Sequence, residues 1–109
     1  MRNEQHLSKK ILKLIKEGNV VISEHGYEEL SEDHIIVEDM LDSALDGIVV
    51  EDYPEYPKGP CVLILQRDNR GDPVHAVWGI PKGAESPAVL VTAYRPDPKR
   101  WSSEFQRRK

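Results

Sequence analysis

The chain has 109 residues, of which 39% are hydrophobic and 31% are charged, and its formal net charge is −4. This length fits one domain with a single core, and this balance is typical of a soluble globular protein rather than of a disordered chain. No apolar run is long enough for a membrane span, and the first residues contain no apolar signal region. We therefore expect a cytoplasmic protein without membrane contact.

Charge is unevenly distributed along the chain. Between Glu17 and Pro57 the sequence has thirteen acidic residues and no lysine or arginine, whereas residues 1–16 and 95–109 are rich in basic residues. Such segregation is typical of helices that dock through opposite charge, or of a protein with separate surfaces for nucleic acid and for a protein partner. Both interpretations stay open at this point.

The first half of the chain predicts helices. Residues 5–17 have their leucines and isoleucines at helical spacing along one face, with lysines on the other. A short β-branched run over residues 20–22 follows, and Ser23 is a suitable N-cap for a helix over residues 24–32. A third helix is predicted over residues 37–45, with acidic side chains in its first turn, where the helix dipole favours them.

The second half changes to the pattern of strands. Four strands are predicted, over residues 48–53, 61–67, 74–80 and 88–95, and turn-rich loops join them. This order predicts an antiparallel meander, and a short helix is predicted from residue 101 to about residue 108. We therefore expect a single α+β domain that spans the whole chain, with N-terminal helices packed on a four-stranded antiparallel sheet.

The loops between the last three strands predict a register. A simple hairpin pairs Gln66 with His75, and the next places His75 opposite Ala93, with Arg95 as a diagonal neighbour. Gln66, His75 and Arg95 then form the polar end of one apolar face. Because a shift of one residue exchanges the faces, the sequence leaves open which face carries a site.

Four residues are candidates for catalysis. A histidine side chain ordinarily titrates near neutral pH, so His25 and His75 are suited to proton transfer. Arg95 is suited to holding a phosphate, and Tyr94 to donating a hydrogen bond or stacking on a base. Each also has a structural interpretation, such as an ion pair between Arg95 and Asp97 or an acidic helix.

Residues close to these four are candidates for substrate binding: Gln66, Thr92, Lys99 and Arg100. The four histidines show no ligand spacing, and the single Cys61 does not make a zinc site, so we expect no metal and no cofactor. Two possibilities remain for the function: acid–base or phosphate chemistry without a metal, or binding without catalysis.

Several segments together resemble a known family. They are Ile22-Ser-Glu-His25-Gly-Tyr-Glu-Glu-Leu30, Glu51-Asp-Tyr-Pro54, Pro73-Val-His75-Ala-Val-Trp78, and Val91-Thr-Ala-Tyr-Arg-Pro96 followed by Trp101. Their order and spacing are similar to those of the small bacterial domain known as domain of unknown function 4258, over about residues 20–108. The recurrent histidines of that family correspond here to His25 and His75, and its strand end to Thr92, Tyr94 and Pro96.

The resemblance implies a RelE/barnase-like fold and a relation to the RelE- and BrnT-type toxins of toxin–antitoxin pairs, which are metal-independent ribonucleases. Similar members are encoded beside a small antitoxin that bears a zinc finger, so the resemblance implies such a partner, with RNA as the substrate. This chain departs from the family at Glu29 and Asp33, where many members have arginines. The departure removes positive charge from a helix that would face RNA.

Two functions therefore remain as hypotheses. The first is a toxin-like, metal-independent endoribonuclease in which His75 or His25 removes the proton of a ribose 2′-hydroxyl and Arg95 stabilises the charge on the phosphorus centre. The second is a non-catalytic interaction module whose acidic helices bind a basic partner. The RNA target, any dependence on the ribosome and the oligomeric state are open.

Overall fold

The computed structural model describes residues 3–108 of the chain. Three helices come first, α1 (Asn3–Lys16), α2 (Glu24–Glu32) and α3 (Val37–Ser43), and a 3₁₀ turn (Ala44–Asp46) follows α3. Within this part of the chain, none of the helices combines the length and apolar character that crossing a membrane requires.

The predicted amphipathic character of α1 is confirmed. Ile11, Leu14 and Ile15 are buried, whereas Lys9 and Lys13 are exposed. Helical spacing places the three apolar side chains on one face, and that face packs into the core with α2, α3 and the sheet.

The sheet has five strands: β1 (Val20–Ile22), β2 (Ile48–Tyr53), β3 (Cys61–Arg67), β4 (Pro73–Gly79) and β5 (Ala88–Tyr94). Their order is β1-β5-β4-β3-β2. The last four form the predicted antiparallel meander, but β1 adds a parallel edge strand beside β5, so the sheet is mixed. The four-stranded prediction missed this strand because three residues are too short to show a strand pattern by themselves.

The predicted register is wrong. Leu65 lies opposite His75, where Gln66 was expected, and the partner of His75 on β5 is Tyr94 where Ala93 was expected. A bulge in the β4–β5 ladder shifts the pairing by one residue and brings Tyr94 opposite His75. In the β3–β4 hairpin, which has no bulge, Arg67 pairs with Pro73 and Gln66 therefore with Val74, so alternation sends Gln66 and His75 to opposite faces of the sheet.

The helices cover one face of the sheet, and the core lies between them. Its largest members are fully or almost fully buried: Ile11, Leu30, Met40, Val62, Ile64, Trp78 and Leu90. Alternation along β3 and β4 turns Leu63, Leu65 and His75 to the other face, called the second face below. These three side chains are also buried, although they lie outside the core that the helices share.

Residues 96–108, called the strap below, lie across part of the second face. The predicted C-terminal helix is absent from this segment, which consists of turns and one antiparallel bridge between Trp101 and Arg108. Phe105 has a φ of 59°, outside the right-handed helical region. Trp101 is nevertheless buried against the body of the protein.

Candidate functional site

An open pocket of about 410 Å³ lies on the second face, beside the start of α2. Its rim carries an imidazole, a phenol and an ammonium group, those of His25, Tyr56 and Lys58. Its walls come mainly from the ends of β3, β4 and β5: Cys61, Gly79, Ile80, Val89 and Val91. Burial raises the pKa of the Cys61 thiol, which keeps this part of the floor neutral.

The start of α2 fixes the position of His25. Ser23 caps the helix, because its Oγ atom accepts a hydrogen bond from the N–H of Gly26 at 2.8 Å and donates one to the carbonyl of Val91 at 3.0 Å. Gly26 allows the helix to touch β5, since a Cβ there would lie 2.7 Å from the carbonyl oxygen of Leu90. The His-Gly pair therefore holds an exposed imidazole against the edge of the sheet.

The loop after β2 fixes the opposite rim of the pocket. Gly59 has a φ of 137°, and a Cβ at this position would lie 2.1 Å from the carbonyl oxygen of Ile80. The N–H of Gly59 donates to the carbonyl of Tyr56, and the carbonyl of Lys58 accepts from the N–H of Lys82 at 3.1 Å. These main-chain contacts make a rigid rim for Tyr56 and Lys58.

A second group of chemically active side chains lies under the strap and centres on His75, which is fully buried. Its Nε2 atom lies 2.8 Å from the carbonyl oxygen of Phe105. A carbonyl only accepts, so Nε2 carries the proton and Nδ1 faces the Tyr94 hydroxyl at 3.4 Å as an acceptor. The ring of Trp101 meets the imidazole edge-on, with 4.3 Å between the ring centres.

Glu51 links this group to the end of the strap. It accepts two hydrogen bonds from Arg108, at 2.9 and 3.0 Å, and one from the Tyr53 hydroxyl. The hydrogen bond from Arg108 lowers the pKa of Glu51, and the same pair raises the pKa of Arg108. Burial, together with the hydrogen bond to Glu51, raises the pKa of Tyr53 to about 12.

Burial also keeps His75 neutral, because it lowers the pKa of the imidazole, and it raises the pKa of Tyr94. Shifted pKa values that gather on one face are typical of functional sites, and also of structural polar networks. In this conformation the strap excludes a ligand from His75. The accessible imidazole of the second face is that of His25.

Arg95 lies at a different place, beyond the end of β5. Its guanidinium donates to the carboxylate of Asp68 at 2.9 Å and to the main-chain carbonyls of Asp33 and His34 at 3.1 and 3.3 Å. The ion pair of Arg95 is therefore with Asp68, where Asp97 or an acidic helix was expected. The carboxylate of Asp33 accepts instead from the main-chain N–H of Arg95 at 3.0 Å. Arg95 joins the end of α2 to the β3–β4 turn and does not line the pocket that holds His25.

Gln66 lies on the helix-covered face and is almost fully buried. Its amide nitrogen donates to the carbonyl of Met40 at 2.7 Å and to Ser43 Oγ at 2.9 Å, and its oxygen accepts from Trp78 Nε1 at 2.8 Å. The structure therefore separates Gln66 from His75.

The other predicted substrate-binding residues are not brought together either. Thr92 is half-buried on β5, opposite Val77, whereas Lys99 and Arg100 are exposed on the strap. Of the eight predicted site residues, His75 and Tyr94 meet directly. No group of three potential ligands in residues 3–108 is arranged to hold a metal ion.

Sequence reasoning did not assign roles to several residues of the second face: Glu51, Tyr53, Tyr56, Lys58, Trp101 and Arg108. For Glu51 and Tyr53 the sequence held a usable signal. They are two residues apart on β2, and because side chains alternate between the faces of a strand, both point to the second face. Arg108 had no such signal, since it meets Glu51 across 57 positions of the chain.

Comparison with protein families gives one finding. The model of a family described as Domain of unknown function (DUF4258) matches residues 22–95, which run from the last residue of β1 through α2 and α3 to the end of the meander. The match thus contains His25, His75 and the pocket, and it ends where the strap begins. Searches of curated proteins and of solved structures give no match to this chain.

Proposed function

The chain belongs to the DUF4258 family, and from the site that this domain builds we propose that it is a metal-independent endoribonuclease of the toxin type. The observation that carries the proposal is the open pocket whose rim joins the imidazole of His25, the ammonium of Lys58 and the phenol of Tyr56. The sequence motifs resemble those of a domain related to the RelE- and BrnT-type toxins, and this resemblance supports the same class of function.

The pocket has the chemical groups that would support RNA cleavage by attack of the ribose 2′-hydroxyl on the adjacent phosphate. Its apolar walls suit a nucleobase, and the exposed ring of Tyr56 supplies a surface on which a base can stack. The ammonium of Lys58 stabilises the negative charge of a phosphate. A volume of about 410 Å³ lies in the range of small-ligand sites and accommodates one nucleotide.

In the proposed reaction, the neutral imidazole of His25 takes the proton of a ribose 2′-hydroxyl. The 2′ oxygen then attacks the adjacent phosphorus, the bond from phosphorus to the 5′ oxygen breaks, and that oxygen takes a proton from water. The protonated His25 returns its proton to the hydroxide that remains, so the imidazole is again neutral and no net proton is consumed. The products are a 2′,3′-cyclic phosphate and a 5′-hydroxyl, and Lys58 balances the charge that develops on the phosphate oxygens. We assign the proton transfer to His25 rather than to His75 because His75 is fully buried.

The acidic helices support a protein partner as a second function of the same domain. Helix α2 contains four acidic residues and α3 contains three, and neither contains lysine or arginine. This surface is complementary to a basic segment, such as one from the small zinc-finger antitoxin that the family resemblance implies. We propose that the acidic residues of α2 and α3 bind such a partner, while the proposed reaction takes place in the pocket on the second face.

The test is cleavage of total bacterial RNA by the purified chain in a chelating buffer, with and without ribosomes. His25→Asn should lower the rate by about 100-fold or more, which is typical for loss of a general base. His34→Asn is the matched control, because His34 is also exposed but lies outside the pocket. Lys58→Gln should slow cleavage, whereas Lys82→Gln, which removes an exposed lysine just beyond the pocket, should not.

Equal rates of RNA cleavage by His25→Asn and the parent would show that the pocket takes no part in the reaction. A folded parent that cuts no RNA under either condition would reject the nuclease and leave partner binding by the acidic helices. That second function has its own measurement, which is binding of a basic peptide to the parent and to a variant with Glu28 and Glu32 replaced by glutamine.

A further inference from the structure

The strap is held on the second face by contacts of Trp101, Phe105 and Arg108, all in its C-terminal part. Trp101 packs edge-on against His75, and the guanidinium of Arg108 lies 4.6 Å from the centre of the Trp101 ring. Arg108 also makes its two hydrogen bonds to Glu51. The carbonyl of Phe105 accepts the bond from His75.

Apart from the carbonyl of Phe105, the main-chain hydrogen bonds of the strap run within the strap itself. The N–H groups of Arg100 and Trp101 donate to Asp97, that of Ser102 donates to Arg107, and that of Phe105 donates to Ser102. Sheet pairing does not extend to this segment, whose single bridge joins Trp101 to Arg108. A segment held in this way leaves the sheet intact when it is displaced, because no strand ladder has to break.

The covered surface is continuous with the pocket. On β2, Tyr53 lies directly opposite Cys61 of β3, which is part of the pocket wall. Glu51, two residues before Tyr53, lies opposite Leu63 on the same face. His75 and Tyr94 complete the surface at the far end of β4 and β5. Two phenols, an imidazole and a carboxylate acceptor on an apolar floor are suited to stacked bases and to their amino groups.

The strap itself is basic. Residues 96–108 contain four basic residues and two acidic ones, and Lys99 and Arg100 are exposed. An RNA chain that enters the pocket therefore attracts the strap, and its phosphates compete with Glu51 for Arg108. Both effects favour release of the strap when RNA is present.

We propose that the surface beneath the strap, formed by Glu51, Tyr53, His75 and Tyr94, is a second RNA-binding subsite, and that the strap closes it until RNA displaces Arg108 from Glu51. This inference rests on the proposed function for the identity of its ligand. It extends the RNA tract from a single nucleotide in the pocket to the neighbouring nucleotides along the second face.

The test uses the full chain with Arg108→Gln and the matched control Arg107→Gln. Both variants lose one positive charge at adjacent positions, but Arg107 is an exposed neighbour without the Glu51 contact. Amide hydrogen exchange of Trp101, Ser102 and Phe105 reports release of the strap. Affinity is measured for a 2′-O-methyl RNA of about eight nucleotides, which cannot be cleaved and is long enough to span both subsites, and for a mononucleotide that fits the pocket alone.

Strap amides should exchange faster in Arg108→Gln than in Arg107→Gln. Loss of a partly exposed ion pair should raise the affinity of Arg108→Gln for the oligonucleotide about twofold to fivefold over Arg107→Gln. The mononucleotide should bind both variants alike. Equal oligonucleotide affinities in the two variants, or equal exchange of their strap amides, would overturn the proposal.

The outcome separates this inference from the nuclease assignment. If the parent cuts no RNA but the oligonucleotide still binds Arg108→Gln more tightly, the nuclease fails and the subsite stands. If the parent cuts RNA and both arginine variants bind the oligonucleotide equally, the nuclease stands and the subsite fails. Tighter self-association of Arg108→Gln without tighter RNA binding would also overturn the proposal, because it would identify the surface as a protein interface.

Discussion

Arg95 donates from Nη1 to the Oδ2 atom of Asp68 at 2.9 Å, and this bond joins the end of β5 to the β3–β4 turn. Asp68 is itself fixed, because its other oxygen accepts from the N–H groups of Arg70 and Asp72 at 2.9 Å. Burial acts to raise the pKa of Asp68, but these hydrogen bonds and the one from Arg95 outweigh it, so the pKa is lowered.

Arg95→Ala should therefore reduce stability more than the proposed RNA cleavage. The change removes three guanidinium contacts from a side chain that is about one-third exposed, and we expect a loss of about 1–2 kcal/mol of unfolding free energy. Chemical denaturation measures this loss, and cleavage is then compared at equal concentrations of folded protein. Arg100→Ala, which removes an exposed arginine of the strap, is the control for charge. If Arg95→Ala has the stability of the parent but does not cleave RNA, Arg95 acts in the reaction itself.

Gln66→Leu should also act through stability. The substitution leaves Trp78 Nε1–H and the carbonyl of Met40 without their bonds in the core, and unpaired buried groups of this kind cost about 2–4 kcal/mol together. Ser43→Ala removes one of the three bonds and should cost about 1 kcal/mol. Denaturation followed by tryptophan fluorescence gives both values, and a loss in Gln66→Leu no larger than that in Ser43→Ala would contradict this account.

Elements with a strong local pattern were predictable. The apolar face of α1, the Ser23 cap of α2 and the four strands of the meander all follow from spacing and turn residues close in sequence. The edge strand β1 was not, because its three residues become a strand only when β5 lies beside them.

The site was less predictable, because a shift of one residue decides which side chains share a face. A hairpin count that omits the bulge between β4 and β5 places Ala93 opposite His75 in place of Tyr94. On the other side of β4, the turn pairs Arg67 with Pro73, which places Leu65 opposite His75 in place of Gln66. The strap shows the same limit at longer range, since the partners of Arg108 and Phe105 are Glu51 and His75, far away in sequence. Periodicity carries no information on such contacts.

Gly26→Ala should destabilise the protein and disturb the pocket. The added Cβ would lie 2.7 Å from the carbonyl oxygen of Leu90 and 3.1 Å from Ser23 Oγ, so α2 has to move away from β5. Overpacking of this kind costs about 1–3 kcal/mol, although alanine is the better helix former. Ser31→Ala, an exposed position of the same helix, is the control and should be neutral or slightly stabilising.

Because His25 lies in the same turn of α2, the rate of the proposed RNA cleavage by folded Gly26→Ala should also fall, whereas that of Ser31→Ala should not. Thermal unfolding and the cleavage assay measure the two effects separately. Parental stability in Gly26→Ala would mean that the contact between α2 and β5 is looser than the Gly26–Leu90 approach indicates.

Stability should decrease as the pH falls below about 6.5, because of His75. Burial holds the pKa of this imidazole below its ordinary value of 6.5. Once the chain unfolds, the ring regains that value and takes up a proton, so the unfolded state binds more protons than the folded state. The contribution of His75 is therefore complete above pH 6.5 and is lost as the pH falls from 6.5 towards the folded pKa, by at most about 1.4 kcal/mol per pH unit.

Denaturation at about pH 7.5, 6.5 and 5.5 measures this slope. His75→Gln keeps an N–H donor for the carbonyl of Phe105 but does not titrate, so its unfolding free energy should change less over this range than that of the parent. Gln66→Leu, which is destabilised but retains His75, should keep the parental slope. At lower pH the lowered pKa of Glu51 acts in the same direction, because its stabilising bond with Arg108 weakens as the carboxylate is protonated. An equal slope in His75→Gln and the parent would show that the imidazole is not held neutral by the strap.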